Sequence, residues 1–318
     1  VQKDDIASQG TLGTLPAMTF TPDSKSVIAS YGGKIYKIPI DGGEAVNIPF
    51  LIDEEIELGP LLKFNYPITD TFQFRDKKFT TLLGAEVHSG LMENGQLWHL
   101  LAVGLPRDFE PSNSPNFTSN NNQENANELA KRCFDSGAFI SIVHPQWSGL
   151  TVSDAKTITC AHSVEIYNHG CAVDSDRGDG AHLLDVMLSQ GIKLSLIATD
   201  DAHFRSNDFF GGWVEVKSEK NNPEELLSSL KEGNFYSSQG PKIHDLNINK
   251  EGFLIQTSPV NSVILVGYGS ISIVKHGESM TETNIVFPEG AESPWVRIIA
   301  IDQYGKKAWT NPIWSNDL

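Results

Sequence analysis

Several apolar segments of this chain end abruptly in side chains that could bind a divalent metal ion. A buried strand has little packing reason to end in aspartate, glutamate or histidine, whereas a metal ion at the mouth of the strand gives it one. The residues that show this placement are Glu86, His144, Glu165, Asp201 and His203. Carboxylates and neutral imidazoles together suit zinc, manganese or iron, and a carboxylate can bridge two ions. The sequence therefore predicts a divalent metal site.

Other polar residues near these segments give weaker signals. His99 lies within an apolar run, where a histidine bonded to the backbone is as reasonable as a metal ligand. His88 could be a ligand within Glu-x-His, but a role in orienting a ligand or a place on the surface is preferred for it. Glu165 is also expected to orient a ligand. Asn168 and His169 either line the pocket or form the turn into the glycine that follows them.

The elements that carry these residues must bring them together. From about residue 80 onward, apolar runs alternate with helical patterns, which predicts a mostly parallel sheet or a barrel. Helices are expected over 125–136, 180–190 and 222–233, where apolar residues recur at helical spacing between capping residues. Because strand ends converge on one face of such a barrel, ligands scattered along the sequence could meet there.

The parts before and after this region have a different pattern. Residues 14–50 show short alternating segments between Pro-Asp and Gly-Gly turns, which is typical of a β-meander. After Gly240 the helical signals disappear, which predicts a small all-β domain of the sandwich kind. We therefore expect a meander segment over 1–69, an α/β domain over 70–240 and an all-β domain over 241–318.

Composition excludes several classes of protein. The 318-residue chain has a formal charge of −16, which argues against binding to nucleic acid. No apolar run approaches the roughly 20 residues of a membrane span, and the first residues show neither an initiator methionine nor the apolar core of a signal peptide. We expect a soluble protein, with its N-terminus processed or the chain a fragment. Compartment and oligomeric state stay open.

The cysteines Cys133, Cys160 and Cys171 lie too far apart to indicate a disulfide framework or a thiolate metal site.

Taken in order, these motifs resemble the PHP (polymerase and histidinol phosphatase) family of metal-dependent phosphoesterases. The resemblance covers roughly residues 70–240 and rests on Gly84-Ala-Glu86, His99, His144-Pro145 and Asp201-Ala-His203. It implies a distorted (β/α)7 barrel of TIM-like architecture, incomplete at its N-terminus, with a C-terminal all-β sandwich-like domain. It also implies Glu86 as a bridging metal ligand, with terminal ligands at His99, His144, Asp201 and His203.

The chain departs from the family pattern at its beginning. The family opens with His-x-His and Thr-Asp-His strands, whereas this chain has no histidine before His88. The meander, which resembles one blade of a TolB-like propeller, stands in their place. Three interpretations stay open: a natural fusion with a degraded site, a truncated or misassembled gene product, and a site with fewer metals completed by other groups.

The resemblance predicts a hydrolase that cleaves small phosphorylated substrates with metal-activated water. Asp201, His203 and Glu86 are the expected catalytic residues, and Arg205, Asn168 and His169 the expected substrate contacts. Arg177 is an alternative to Arg205, because either guanidinium could hold a phosphate. Two other functions stay open: an inactive PHP-like binding or scaffold protein, and an amidohydrolase-type metal hydrolase, for which the His-x-His and the bridging lysine are not visible.

Overall fold

The computed structural model of the chain describes residues 18–31, 34–50, 78–110, 124–288 and 292–318. The chain divides into two compact units, Val1–Pro67 and Ile68–Leu318. Among the described residues of the first unit, four short strands form an antiparallel sheet in sequential order. These strands are β1 (Met18–Phe20), β2 (Ser26–Tyr31), β3 (Lys34–Pro39) and β4 (Val46–Ile48).

The second unit contains a five-stranded sheet with strand order β5-β6-β7-β8-β9. Its strands are β5 (Gly84–Leu91), β6 (Leu97–Val103), β7 (Phe139–Ile142), β8 (Ser163–Asn168) and β9 (Ser195–Thr199). The pairs β5–β6 and β6–β7 are antiparallel, whereas β7–β8 and β8–β9 are parallel. The carboxyl ends of β5, β7, β8 and β9 and the amino end of β6 therefore lie at one edge of the sheet.

Helices connect and cover the parallel part of this sheet. They are α1 (Ala126–Asp135), α2 (Pro145–Ser148), α3 (Val152–Thr157), α4 (His169–Ser175), α5 (Ala181–Ser189) and α6 (Pro223–Lys231). The predictions of α1, α5 and α6 are confirmed. Asn125 caps α1 in a capping box with Glu128, and Asn222 caps α6 directly before Pro223.

An eight-stranded antiparallel sheet completes the second unit. Its strands are β10 (Trp213–Val216), β11 (Phe235–Ser238), β12 (Ile243–Asn249), β13 (Gly252–Gly267), β14 (Ser272–Val286), β15 (Trp295–Ile301), β16 (Lys307–Thr310) and β17 (Ile313–Trp314). A short 3-10 turn, Ser315–Asp317, follows. Trp295 and Trp309 of this sheet pack into the same apolar core as Leu100, Leu184 and Leu196 of the five-stranded layer. The two sheets therefore share one core.

The predicted (β/α)7 barrel with a separate C-terminal sandwich is wrong. Strands make up 42% of the described residues and helices 19%, and a barrel of that kind needs more crossover helices than the described residues contain. The physical reason lies partly in the turn between β5 and β6, where Asn94-Gly95 closes a hairpin and Gly95 takes a φ of 79°. An antiparallel pair needs only such a turn, whereas a parallel pair needs a long crossover.

The C-terminal strands do not form a sandwich of their own either. β11, which lies before residue 240, pairs with β16, and β10 pairs with β11. The eight-stranded sheet therefore contains two strands, β10 and β11, from the region that the alternating pattern assigned to the barrel. Alternation of strands and helices along the chain does not specify which sheet a strand joins.

Candidate metal centre

The β5–β6 hairpin places three of the predicted site residues on one face. His88 of β5 lies opposite His99 of β6, and Glu86 is two residues before His88. Side chains two apart on a strand point to the same side, so the hairpin register aligns all three. The imidazole rings of His88 and His99 meet edge to face, with their centroids 4.3 Å apart.

His144 completes a compact cluster with Glu86 and His99. One carboxylate oxygen, Oε1 of Glu86, lies 2.7 Å from His99 Nδ1 and 3.0 Å from His144 Nε2. One potential ligand atom from each residue lies within 4.8 Å of the others. Two imidazoles and a carboxylate are a donor set that zinc, manganese and iron accept. This cluster could hold a divalent metal ion.

The cluster controls the protonation of its members. Burial alone would raise the pKa of the Glu86 carboxyl, but hydrogen bonds from His144, His88 and His99 outweigh it and hold the pKa well below its usual range. Burial would lower the pKa of His144, but the hydrogen bond to Glu86 and the carboxylates of Glu165 and Asp201 raise it overall. Glu86 is therefore ionised and ready to act as a ligand.

The imidazole of His144 is held by its surroundings. Its Nδ1 lies 2.9 Å from Ser148 Oγ, four residues later in α2, and this contact leaves Nε2 facing Glu86. The His144 backbone has φ 29° and ψ 55°, a left-handed conformation that is strained for a residue other than glycine. Its amide N–H donates to Glu165 Oε2 over 2.5 Å. These contacts hold the strained conformation in place.

Glu165 lies beneath the cluster as a buried carboxylate. It accepts hydrogen bonds from the His144 amide, from Asn168 Nδ2 at 3.0 Å and from the Thr199 hydroxyl. Burial raises the pKa of Glu165, and these hydrogen bonds partly oppose the rise. Because the donors come from the ends of three strands, Glu165 ties β7, β8 and β9 together at the edge that carries the site.

Asp201 and His203 line the same cavity but lie outside the three-residue cluster. The cavity has a volume of about 360 Å³, and its walls also include Glu86, His99 and His144. Asp201 Oδ2 accepts from Asn168 Nδ2 at 3.1 Å, and His203 Nδ1 lies 2.9 Å from the Asp201 carbonyl oxygen. Because a carbonyl oxygen can only accept, His203 Nδ1 is the donor in this contact.

The structure does not bring the predicted substrate contacts together in one cavity. Arg205 lines the cavity and has no hydrogen-bond or ion-pair partner among the described residues. Asn168 is buried and serves the network between Glu165 and Asp201. His169 turns away, with its ring nitrogens bonded to the Tyr167 hydroxyl and the Asn207 carbonyl. Arg177 borders a neighbouring cavity that shares His99 and Trp147 with this one.

Sequence reasoning missed several residues of the site. Trp147 meets the rings of His99 and His144 edge to face at 5.8 and 5.0 Å, and Cys171 lines the cavity with its Sγ 4.0 Å from Asp201 Oδ2. Burial and the neighbouring carboxylates raise the pKa of Cys171 to about 12, so the thiol is protonated. Ser148 had a usable signal, since it follows His144 by four residues on a helix.

No family model matches the chain, and no significant match is found among curated proteins or solved structures. No helix in the described parts of the chain is long and apolar enough to cross a membrane.

Proposed function

We propose that this protein is a metal-dependent hydrolase of small phosphoesters. The observation that carries the proposal is the cluster of Glu86, His99 and His144 on the wall of a cavity that also contains Asp201, His203 and Arg205. The order of these residues resembles that of the later ligand motifs of the PHP family, whose first two motifs this chain lacks. We propose this ligand order without the (β/α)7 barrel of that family.

The donor set favours a catalytic metal over a purely structural one. Structural zinc sites are closed by four protein ligands, whereas catalytic sites leave a position open for water or substrate. Here three donors are clustered and face a cavity rather than the core. Asp201 and His203 line the same cavity, and we propose that they complete the set or hold a further ion. When bound, the metal supplies an activated water and neutralises charge that develops on the phosphoryl oxygens.

Arg205 favours an anionic substrate. Its guanidinium is exposed at the cavity and has no carboxylate partner in the described part of the chain. A guanidinium offers two parallel donors to a phosphate, which suits it to hold the group while a P–O bond breaks. The chain's charge of −16 would repel a nucleic-acid backbone, so we propose small substrates.

The test begins with metal content. Protein purified without chelator should contain zinc, manganese or iron by elemental analysis, and chelation should remove both the metal and the hydrolysis of p-nitrophenyl phosphate. Loss of a residue that supports a metal ligand costs about 10–100-fold in metal affinity. Because His144 is itself a proposed ligand, His144→Ala should weaken the affinity by more than this. Asp201→Asn should abolish turnover.

His244→Ala is the matched control, because His244 is exposed on β12 and lies outside the cavity. It should leave metal content and turnover unchanged. Metal-free, inert wild-type protein that takes up neither manganese nor zinc would contradict the proposal and leave the inactive scaffold as the better description. Hydrolysis of amides but not of phosphoesters would favour the amidohydrolase alternative.

A further inference from the structure

The loop between β9 and β10 exposes three phenylalanines beside the cavity. Phe204 is 78% exposed, Phe209 41% and Phe210 86%. Their rings form a continuous group, with centroids 5.7 Å apart for Phe204–Phe209 and 5.8 Å for Phe209–Phe210. Isolated exposed apolar residues are ordinary, but a contiguous exposed patch next to polar groups marks a binding surface.

The loop backbone holds these rings outward. Phe204 and Phe210 have φ values of 58° and 57°, a left-handed conformation that is unfavourable for a phenylalanine. Strain of this kind persists only where the surroundings enforce it, and it is concentrated at functional sites.

The carboxylates of Asp200 and Asp208 hold the loop backbone in this conformation. Asp200 accepts hydrogen bonds from the amides of Phe210, Gly211 and Gly212, at 2.6, 2.8 and 2.9 Å. Asp208, which is fully buried, accepts from the amides of His203 and Phe204 at 2.7 and 3.2 Å. The exposure of the rings is therefore built into the hydrogen bonding of the loop.

The position of the rings connects them with the cavity. Phe204 lies between His203 and Arg205 in the chain. Both of these neighbours line the cavity that Glu86, His99 and His144 also line. The exposed ring of Phe204 therefore adjoins in sequence an arginine of the cavity wall that has no partner among the described residues. A ligand that satisfies both must carry an anionic group and an apolar body.

We propose that Phe204, Phe209 and Phe210 form an aromatic shelf that binds the apolar or aromatic substituent of the substrate, while its phosphoryl group lies at the metal cluster and Arg205. This inference rests on the proposed function. It identifies the substrate class as phosphoesters of apolar or aromatic alcohols rather than of sugars or other polar alcohols, which would gain nothing from the shelf.

Binding of two phosphonates to the manganese-loaded full chain tests the shelf. Phenylphosphonate and methylphosphonate share a head group that cannot be hydrolysed at a P–O ester bond, and they differ in the apolar body. Isothermal titration should show phenylphosphonate binding about tenfold more tightly, as expected when about half of a phenyl ring leaves water. The double variant Phe204→Asn/Phe210→Asn, with a residue that tolerates the left-handed backbone, should bind both equally and keep the wild-type affinity for methylphosphonate.

Tyr304→Asn is the control, because Tyr304 is 79% exposed and lies outside the cavity. It should keep the tenfold preference. A wild type without preference, or a double variant that retains it, would overturn the shelf and leave the hydrolase proposal standing. Failure of both phosphonates to bind would overturn both proposals. Sedimentation velocity adds a third outcome: a wild-type dimer that the double variant converts to monomer would assign the rings to an interface between copies and overturn the shelf.

Discussion

Glu86 is the residue on which the candidate metal centre converges. A single oxygen of its carboxylate lies within hydrogen-bonding distance of two imidazoles, and a third imidazole, that of His88, has its Nε2 3.7 Å away. A metal ion bound by this cluster would replace these hydrogen bonds with coordination bonds. The ligand nitrogens of His99 and His144 would then have to give up the protons that they donate to the carboxylate.

Glu165 acts on this centre through His144. Its carboxylate accepts a hydrogen bond from the His144 amide. It accepts another from the side chain of Asn168, which also donates to Asp201. It has no contact with the cavity itself, since it is 1% exposed and absent from the lining. We therefore expect Glu165 to hold His144 and Asp201 in position rather than to bind a metal ion.

We predict that Glu165→Gln weakens manganese or zinc affinity by about 10–100-fold, as loss of a supporting partner does. The amide group of glutamine offers a single, neutral acceptor oxygen in place of the two carboxyl oxygens, so it holds the His144 amide, Asn168 and Thr199 less firmly. Competition with a chelating indicator measures the affinity, and Glu251→Gln, at the exposed β12–β13 turn, is the control. In a His144→Ala background the same change should add little. Full additivity of the two losses would contradict action through His144.

At the scale of elements, two connections determine the site. The tight turn between β5 and β6 places Glu86, His88 and His99 on one face, and the parallel run β7–β8–β9 places His144, Asn168 and Asp201 at the corresponding edge. His162, just before β8, links β8 to β7. Its Nδ1 accepts from the Ile140 amide at 3.0 Å, and its amide donates to the Ile140 carbonyl at 2.9 Å.

His162 makes this link sensitive to pH. Its ring stacks between Phe134 and Phe139, and burial, together with the charge of Lys231, lowers its pKa. Protonation would remove the acceptor that the Ile140 amide uses. Because the pKa is lower in the folded than in the unfolded chain, the unfolded chain binds more protons between the two values. The stabilisation is therefore complete above about pH 6.5, the unfolded value, and is lost as the pH falls below it.

We predict that His162→Asn, which retains an acceptor, removes this part of the pH dependence. The free energy of unfolding, measured in urea from pH 7.5 to pH 5, should fall less steeply for the variant than for wild type. His244→Asn, at an exposed position, should follow the wild-type curve. Parallel curves for wild type and His162→Asn would show that this histidine does not contribute to the acid sensitivity.

At the scale of the second unit, an ion pair between a buried arginine and a partly exposed aspartate joins the eight-stranded sheet to a helix that packs on the five-stranded sheet. Arg297 of β15 is 3% exposed and binds Asp185 of α5 through two nearly parallel bonds of 2.8 and 2.7 Å. The remaining nitrogen, Nη1, has no hydrogen-bond partner among the described residues. A guanidinium in this position depends on Asp185 for the compensation of its charge.

We predict that Asp185→Ala destabilises the protein by about 3 kcal/mol, because it leaves a buried cation uncompensated. Arg297→Met/Asp185→Leu, which removes both charges and keeps apolar volume, should cost less than the single change. Urea unfolding measures both. Lys131→Met breaks the exposed pair with Asp135 and should cost about 0–1 kcal/mol. An Asp185→Ala variant as stable as this control would show that the pair contributes no more than a surface pair.

The local sequence was sufficient to predict α1, α5 and α6. Asn125 and Asn222 accept hydrogen bonds from amides three residues later, and Pro223 suits the first turn of a helix. The apolar spacing of α5 specifies its buried face without knowledge of its partner. The residue types along the apolar segments likewise predicted a group that could hold a metal ion, and Glu86, His99 and His144 form one. Both depend on interactions or preferences that act over short stretches of chain.

Only the tertiary structure decided how these pieces meet. Apolar periodicity specifies which face of a strand is buried, but it does not specify the neighbouring strand, its direction or the sheet it joins. The antiparallel hairpin under Glu86, the recruitment of β10 and β11 and the pair between Arg297 and Asp185 all depend on such long-range choices. The common cavity of Glu86, His144 and Asp201 arises in the same way, because the packing of the whole second unit determines which strand ends become neighbours.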